Sequence, residues 1–203
     1  MITDKTKKEI KKLIEDIESK SSAEIVCAVS DKSERYRYII FLYAALAALV
    51  LPFLLMGFGV DLSGANLIWT QIALFLFISF VLEYSDIKYR LIPKKIKKSR
   101  CSDLAYYQFH KIGVDKTSNH KAILILVCLK ERFVKIVADS EIDKRVGEET
   151  WKKIVANFIK SAKMGEIDKA LIDTVKECGD ILKKEFPRDN DSKDELSNDV
   201  VEI

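Results

Sequence analysis

Between Tyr38 and Tyr84 the chain runs through two stretches so long and so apolar that they demand either a bilayer or a thick protein interior around them. The first, Tyr38 to Val60, has no charged side chain, and as a helix rising ~1.5 Å per residue it measures ~34 Å against a hydrocarbon core of ~30 Å. The second, Ala65 to Tyr84, measures ~30 Å on the same scale. Its one charge, Glu83, lies in the last turn beside Tyr84, where water reaches it. Asp61, Leu62, Ser63 and Gly64 between the two are too few for anything but an antiparallel turn. The expectation is a transmembrane helical hairpin.

Two other readings of the stretch are weaker. A secretory signal sits at the extreme N-terminus behind a short basic region, whereas about thirty patterned residues precede this one. Two buried helices of a soluble protein need cover on every side, and the remaining chain is short for that. Charge then orients the hairpin. Lys32, Arg35 and Arg37 precede it, Lys88, Arg90, Lys94, Lys95, Lys97, Lys98 and Arg100 follow it, and its tip has neither Lys nor Arg. Positive charge near membrane ends stays cytoplasmic, so the expectation is an integral protein of a cell's inner (cytoplasmic) membrane with both termini and the globular part in the cytoplasm. Cys27, Cys101, Cys128 and Cys178 are scattered, without CxxC or zinc spacing, and read as reduced core residues.

The formal net charge of +3 is local in origin, bases crowding after the second apolar run and acids into the last residues. Nucleic acid is not implied. A basic stripe next to a membrane is explained by topology and by anionic headgroups, each nearby Lys or Arg adding ~1 kcal/mol.

In chain order, Thr6 and Glu9 form a capping box, with Ile10, Leu13, Ile14 and Ile17 at helical spacing behind them. Ala23 to Ser30 carries apolar residues on both faces, the mark of a central strand. Ala44, Ala45, Ala47 and Ala48 allow close approach in the first apolar helix, which Pro52 is placed to kink, and Thr70, Gln71 and Ser79 in the second bond to the partner helix. After Pro93 a helix with Cys101, Leu104, Ala105, Phe109 and Ile112 on one face ends at Gly113. Ala122 to Lys130 and Phe133 to Ala138 read as a strand hairpin about a tight turn at Glu131 and Arg132. Trp151, Ile154, Val155, Phe158 and Ala162 mark one helix, closed near Gly165. Ile167, Ala170, Leu171, Thr174, Cys178 and Leu182 mark another, stopped at Phe186 and Pro187. The acidic tail beyond reads as loosely ordered.

A strand as apolar as β-former Ile25 to Val29 needs partners, and the only other strong strands follow the hairpin. The predicted fold is an α/β sandwich, a small central β-sheet flanked by amphipathic helices, with an inserted two-helix transmembrane hairpin. Its parts are residues 1–36 (helix and strand), 37–86 (hairpin), 87–187 (helix, β-hairpin and two helices) and 188–203 (acidic tail).

AEIVCAVS, Phe109 and Thr117 ahead of AILILVCLKERFVKIVAD, Trp151 with Ile154, Gly165, Gly179 within GDILKKEFP, and the ending DNDSKDELSNDVVEI resemble the membrane-bound branch of the TPM-domain family. In that branch a membrane hairpin similarly follows the first strand. The resemblance implies an α/β sandwich. It also implies what relatives do: plant thylakoid members are associated with photosystem repair and an acid phosphatase activity, and an animal member assists a receptor. Many relatives carry glycine where Ala122 and Glu141 stand, and soluble members have a glycine-rich turn after Asp139 that is missing here.

Asp139, Glu141 and Asp143 place carboxylates at alternate positions after a strand, an arrangement that offers oxygens to calcium or magnesium. Lys144 stands where a calcium loop has its sharp-turn glycine, and no bidentate glutamate follows at the required spacing. Asp139 is equally placed to cap the next helix. His110 and His120 match no ligand motif and read as structural or surface residues, and no nucleophile triad or phosphate loop is visible. The favoured function is an accessory or interaction module for other membrane proteins, acting in their assembly, maintenance or turnover and requiring no cofactor. The alternative is a divalent-metal-dependent phosphatase at the membrane surface with Asp139, Asp143 and Glu131 as ligands. A third is a lipid-surface module working through Lys94, Lys95, Lys97, Lys98 and Arg100. The expected partners are membrane lipids and another membrane protein, and no feature of the sequence sets an oligomeric state.

Overall fold

The computed structural model describes residues 2–62, 64–117, 120–189 and 195–203, which fall into two compact units, Met1–Ser33 with Lys95–Ile203, and Glu34–Lys94. The first unit is built on strands β1 (Glu24–Ser30) and β2 (Ala122–Cys128), both buried along their whole length. They pair in parallel from Glu24 opposite Ala122 to Ser30 opposite Cys128. β3 (Phe133–Ala138) runs antiparallel to β2, and a short β4 (Val201–Glu202) lies parallel to β1, giving the order β3-β2-β1-β4.

A strand apolar on both faces must be covered on both, and here helices do it. One face is covered by α1 (Asp4–Glu18), α7 (Glu148–Lys163) and α8 (Ile167–Glu185). Ile10, Ile14, Ile154, Phe158, Leu171 and Leu182 of those helices meet Ile25, Cys27, Ile123, Ile125 and Val127 of the sheet. The other face is covered by α5 (Lys94–Ile112), whose Cys101, Ala105 and Phe109 meet Val26, Ala28, Leu124, Leu126, Cys128 and Val137. The alternation of the strands thus sorts residues into two cores, and the fold is the predicted α/β sandwich.

The second unit holds α2 (Arg37–Gly57), α3 (Ala65–Tyr84) and a short α4 (Lys88–Leu91). α2 and α3 are long and apolar enough to cross a membrane, and only 28% and 11% of their most apolar windows are buried. Ala44 and Ala48 are buried on α2, where small side chains let helices approach closely. Glu83, the one charge of α3, accepts a hydrogen bond from Arg37 Nε at 3.2 Å, and Tyr36 packs edge-on against Tyr89 with centroids 6.0 Å apart. Ser63 of the connecting turn lies outside the described residues.

Three expectations are corrected. The cap of α1 is Thr3, whose hydroxyl accepts from the Thr6 N–H at 3.2 Å; Thr6 lies inside the first turn and its hydroxyl donates to Asp168 Oδ2 on α8 at 2.9 Å. The turn between β2 and β3 is four residues, since the ladder closes at Cys128 opposite Phe133 and Leu129 accepts from the Arg132 N–H at 3.2 Å. Arg132 takes the left-handed φ of 51° that ends such a loop. Finally, the last residues of the acidic tail are a strand. β1 has a second edge whose backbone groups need partners, and Val201 and Glu202 supply them opposite Ala28 and Val29. Lys7 with Glu202 and Lys11 with Asp199, each at 2.8 Å, fasten the tail to α1. Residues 190–194 of the tail lie outside the described residues.

Candidate functional site

β3 delivers Asp139 to the start of α6 (Ser140–Val146), where Oδ1 accepts from the Ser140 N–H at 2.8 Å and the backbone is extended, so the residue is the helix cap. Its other oxygen, Oδ2, is buried without a hydrogen-bond partner, and His120 Nδ1 stands 3.8 Å from it. No local spacing pairs these two. His120 holds a left-handed φ of 49° at the entry to β2, and the pairing of β2 with β3 brings that entry beside the end of β3. Asp143, one turn on, uses Oδ1 to accept from the Trp151 indole N–H at 3.1 Å, and Glu141 is exposed between them. The carboxylates thus cap a helix and anchor a tryptophan.

Glu131 is elsewhere. It sits in the β2–β3 turn, at the opposite end of β3 from Asp139, and a six-residue strand rising ~3.3 Å per residue separates the two by roughly 20 Å. No single ion with oxygens at ~2.3–2.6 Å spans that distance. Among the described residues no three His, Cys, Asp or Glu side chains form a metal-holding group. The residues therefore do not fit the calcium or magnesium site expected from Asp139, Asp143 and Glu131 together. Glu131 instead clamps the segment leaving β1: Oε1 accepts from the Ser33 N–H at 3.0 Å and from the Ser33 hydroxyl at 2.7 Å. Ser33 was not legible as a partner because nothing in its local pattern points to a residue 98 positions away.

Past the carboxyl ends of β1 and β2, the Leu129 and Lys130 N–H groups donate to the Ser30 and Asp31 carbonyls at 3.0 and 2.9 Å. A cleft of about 800 Å³ opens there, lined by Ile2, Asp31, Lys130, Glu166, Asp168 and Lys169 among others. Ligands of open α/β sheets bind at that end of the strands. Asp168 is fixed in the cleft, its Oδ2 accepting from the Thr3 and Thr6 hydroxyls at 3.0 and 2.9 Å.

The basic run opens α5. Lys94, Lys95, Lys98 and Arg100 are exposed and Lys97 is half-buried, while Arg100 Nη1 lies 3.7 Å from Asp103 Oδ2 one turn along. The burial pattern explains the division: Cys101, Ala105 and Phe109 face the sheet, and the run before Cys101 has no sheet residue to cover.

A four-stranded mixed sheet between helical layers, with a capped acidic corner at one end of β3 and a clamped turn at the other, defines the class as a small α/β sandwich domain. A family model described as TPM domain matches residues 90–181, from α4 into α8. The structure is also similar to the NMR structure of BA42 protein from the psychrophilic bacterium Bizionia argentinensis, with 20% identity and a TM-score of 0.59, covering 100% of this chain and 95% of that one. At that identity the likeness concerns the fold. A comparison with curated proteins gave no match.

Proposed function

We propose that this chain is an integral membrane protein in which α2 and α3 cross the bilayer as a hairpin and hold a TPM domain on the cytoplasmic side, where it serves other membrane proteins as an accessory or interaction module. The observation that carries the reading is the apolar surface of the pair: Leu42, Leu46, Leu49, Phe53, Leu76, Phe77 and Phe80 are all at least half exposed. A water-facing surface of that extent is a large cost, at about 25 cal/mol per Å² of apolar area, and lipid removes it. Aromatic residues at both ends support the span, with Tyr38 and Tyr84 at the root and Phe58 and Trp69 toward the tip. Lys and Arg at the root alone set the side. The interaction role draws on the clamped turn and the capped acidic corner, which rigidify a surface.

Carbonate-washed membranes and protease protection test the topology. The protein is expected in the pellet, with its C-terminal half resistant to protease in intact cells and cleaved on permeabilisation. Extraction by carbonate, or cleavage from outside, refutes it. Photocrosslinking from the exposed Glu141 in native membranes is expected to capture a membrane protein whose abundance falls when this chain is removed. Adducts to lipid alone would favour the lipid-surface reading through Lys94 to Arg100.

The phosphatase alternative draws on one observation, the partnerless Oδ2 of Asp139 beside His120.

A further inference from the structure

Cys101 of α5 and Cys128 at the end of β2 lie on the sheet face that α5 covers, both fully buried. Their sulfurs are 2.6 Å apart, and Cys101 Sγ also lies 4.0 Å from the carbonyl oxygen of Phe133, the cross-strand partner of Cys128. Sulfurs in contact across this packing are within reach of the ~2.05 Å bond of a disulfide once both thiol protons leave. Packing fixes both partners, since Ala105 and Phe109 seat α5 on the sheet and Cys128 is locked in register with Phe133. Cys27 and Cys178 are the other two cysteines. They are just as buried, in the opposite core; burial pushes the Cys27 thiol up to about 12, and contact with Cys101, together with burial, pushes the Cys128 thiol up as well, so the pairing of Cys101 with Cys128 rests on the sulfur–sulfur contact alone.

We propose that Cys101 and Cys128 form a redox pair, closed into a disulfide by a small hydroperoxide, that ties α5 to the sheet while Cys27 and Cys178 remain thiols. The two thiols are hydrogen-bonded to each other, and Cys101 is taken as the attacking atom. Its sulfur takes one peroxide oxygen: the S–O bond forms, the O–O bond breaks, and the departing hydroxide leaves as water with the Cys101 proton. The Cys128 sulfur then attacks the Cys101 sulfur; the S–S bond forms, the S–O bond breaks, and a second water carries off the Cys128 proton. Two thiols supply the two electrons that reduce one hydrogen peroxide to two waters. A small neutral oxidant is the class that reaches a buried pair. In a reducing compartment the bond is transient, and in an oxidising one it persists. The pair stands on geometry within the globular unit and is independent of the membrane reading.

The test uses the full chain in mild detergent, treated with hydrogen peroxide, denatured, alkylated and analysed by mass spectrometry. Of the four cysteines, two are expected to alkylate instead of four, with a linked peptide pair containing Cys101 and Cys128, and dithiothreitol is expected to restore all four. Closing a loop of 27 positions is expected to raise the melting temperature by roughly 5–15 °C over the reduced protein. Cys101→Ser is expected to abolish both effects and Cys27→Ala neither. Four alkylated thiols after peroxide, a Cys27–Cys178 bond, or a sulfinic acid at Cys101 overturns the proposal, and these readouts stand on the unsubstituted protein if Cys101→Ser fails to fold.

Discussion

Gly179 on α8 packs directly against Ile17 of α1, and substituting it sets two known effects against each other. A Cβ built there lies 2.3 Å from Ile17 Cδ1 and 2.5 Å from Ile17 Cγ1. The methyl end of an isoleucine can rotate away, but Cγ1 sits at the root of that rotation, and Ile17 is only 2% exposed among Ile14, Val175 and Leu182. Overpacking of this kind costs roughly 1–3 kcal/mol. Alanine in place of glycine inside a helix returns about 1 kcal/mol. Gly179→Ala is therefore expected to destabilise the domain by about 1 kcal/mol. In an Ile17→Ala background, where the obstructing atoms are gone, the same substitution is expected to stabilise by about 1 kcal/mol. The sign reversal, a coupling of about 2 kcal/mol, is read from urea denaturation of the full chain in mild detergent, followed by far-ultraviolet circular dichroism. A Gly179→Ala protein more stable than the parent, or an identical effect in both backgrounds, would refute the argument that the absence of a side chain permits this helix contact.

Two further outcomes are expected. The Glu202 carboxylate raises the pKa of Lys7, and Asp199 raises that of Lys11. A raised lysine value means that the contribution of these pairs is full below the ordinary 10.5 and is lost as pH rises through the higher folded value. Methyl resonances of Val201 and Ile203 should therefore move toward unstructured positions as pH climbs past 10.5. Lys7→Met with Lys11→Met should bring them there at neutral pH, and unchanged resonances in that variant would show that the tail is held by other contacts. On the accessory reading, purified protein with calcium or magnesium should not turn over a generic phosphate monoester. Turnover that Asp139→Asn abolishes would replace that reading with the phosphatase.

Much of the frame was legible because it is local. Hydrophobic spacing located α1, α5, α7 and α8 and the strands β1 to β3, each of which buries one stripe or both faces. The site was less so, because its side chains meet across long separations. Asp139 found His120 through strand pairing, Glu131 found Ser33 across the inserted hairpin, and Thr6 found Asp168 from the far end of the domain. The tail misled because its acids signal a solvated segment, while Val200, Val201 and Ile203 are too few to announce a strand without the edge that receives them.

The amino-acid order alone determined that two apolar helices interrupt the domain, that β1 and β2 are covered on both faces, and that basic residues gather at the root of the hairpin, since these depend on composition and period within a few turns. Only the tertiary structure decided that the three candidate carboxylates occupy opposite ends of one strand, that the acidic tail completes the sheet, and that Cys101 meets Cys128. Each of those depends on which distant segments the packing brings together, and a single sequence carries no periodic signal for that.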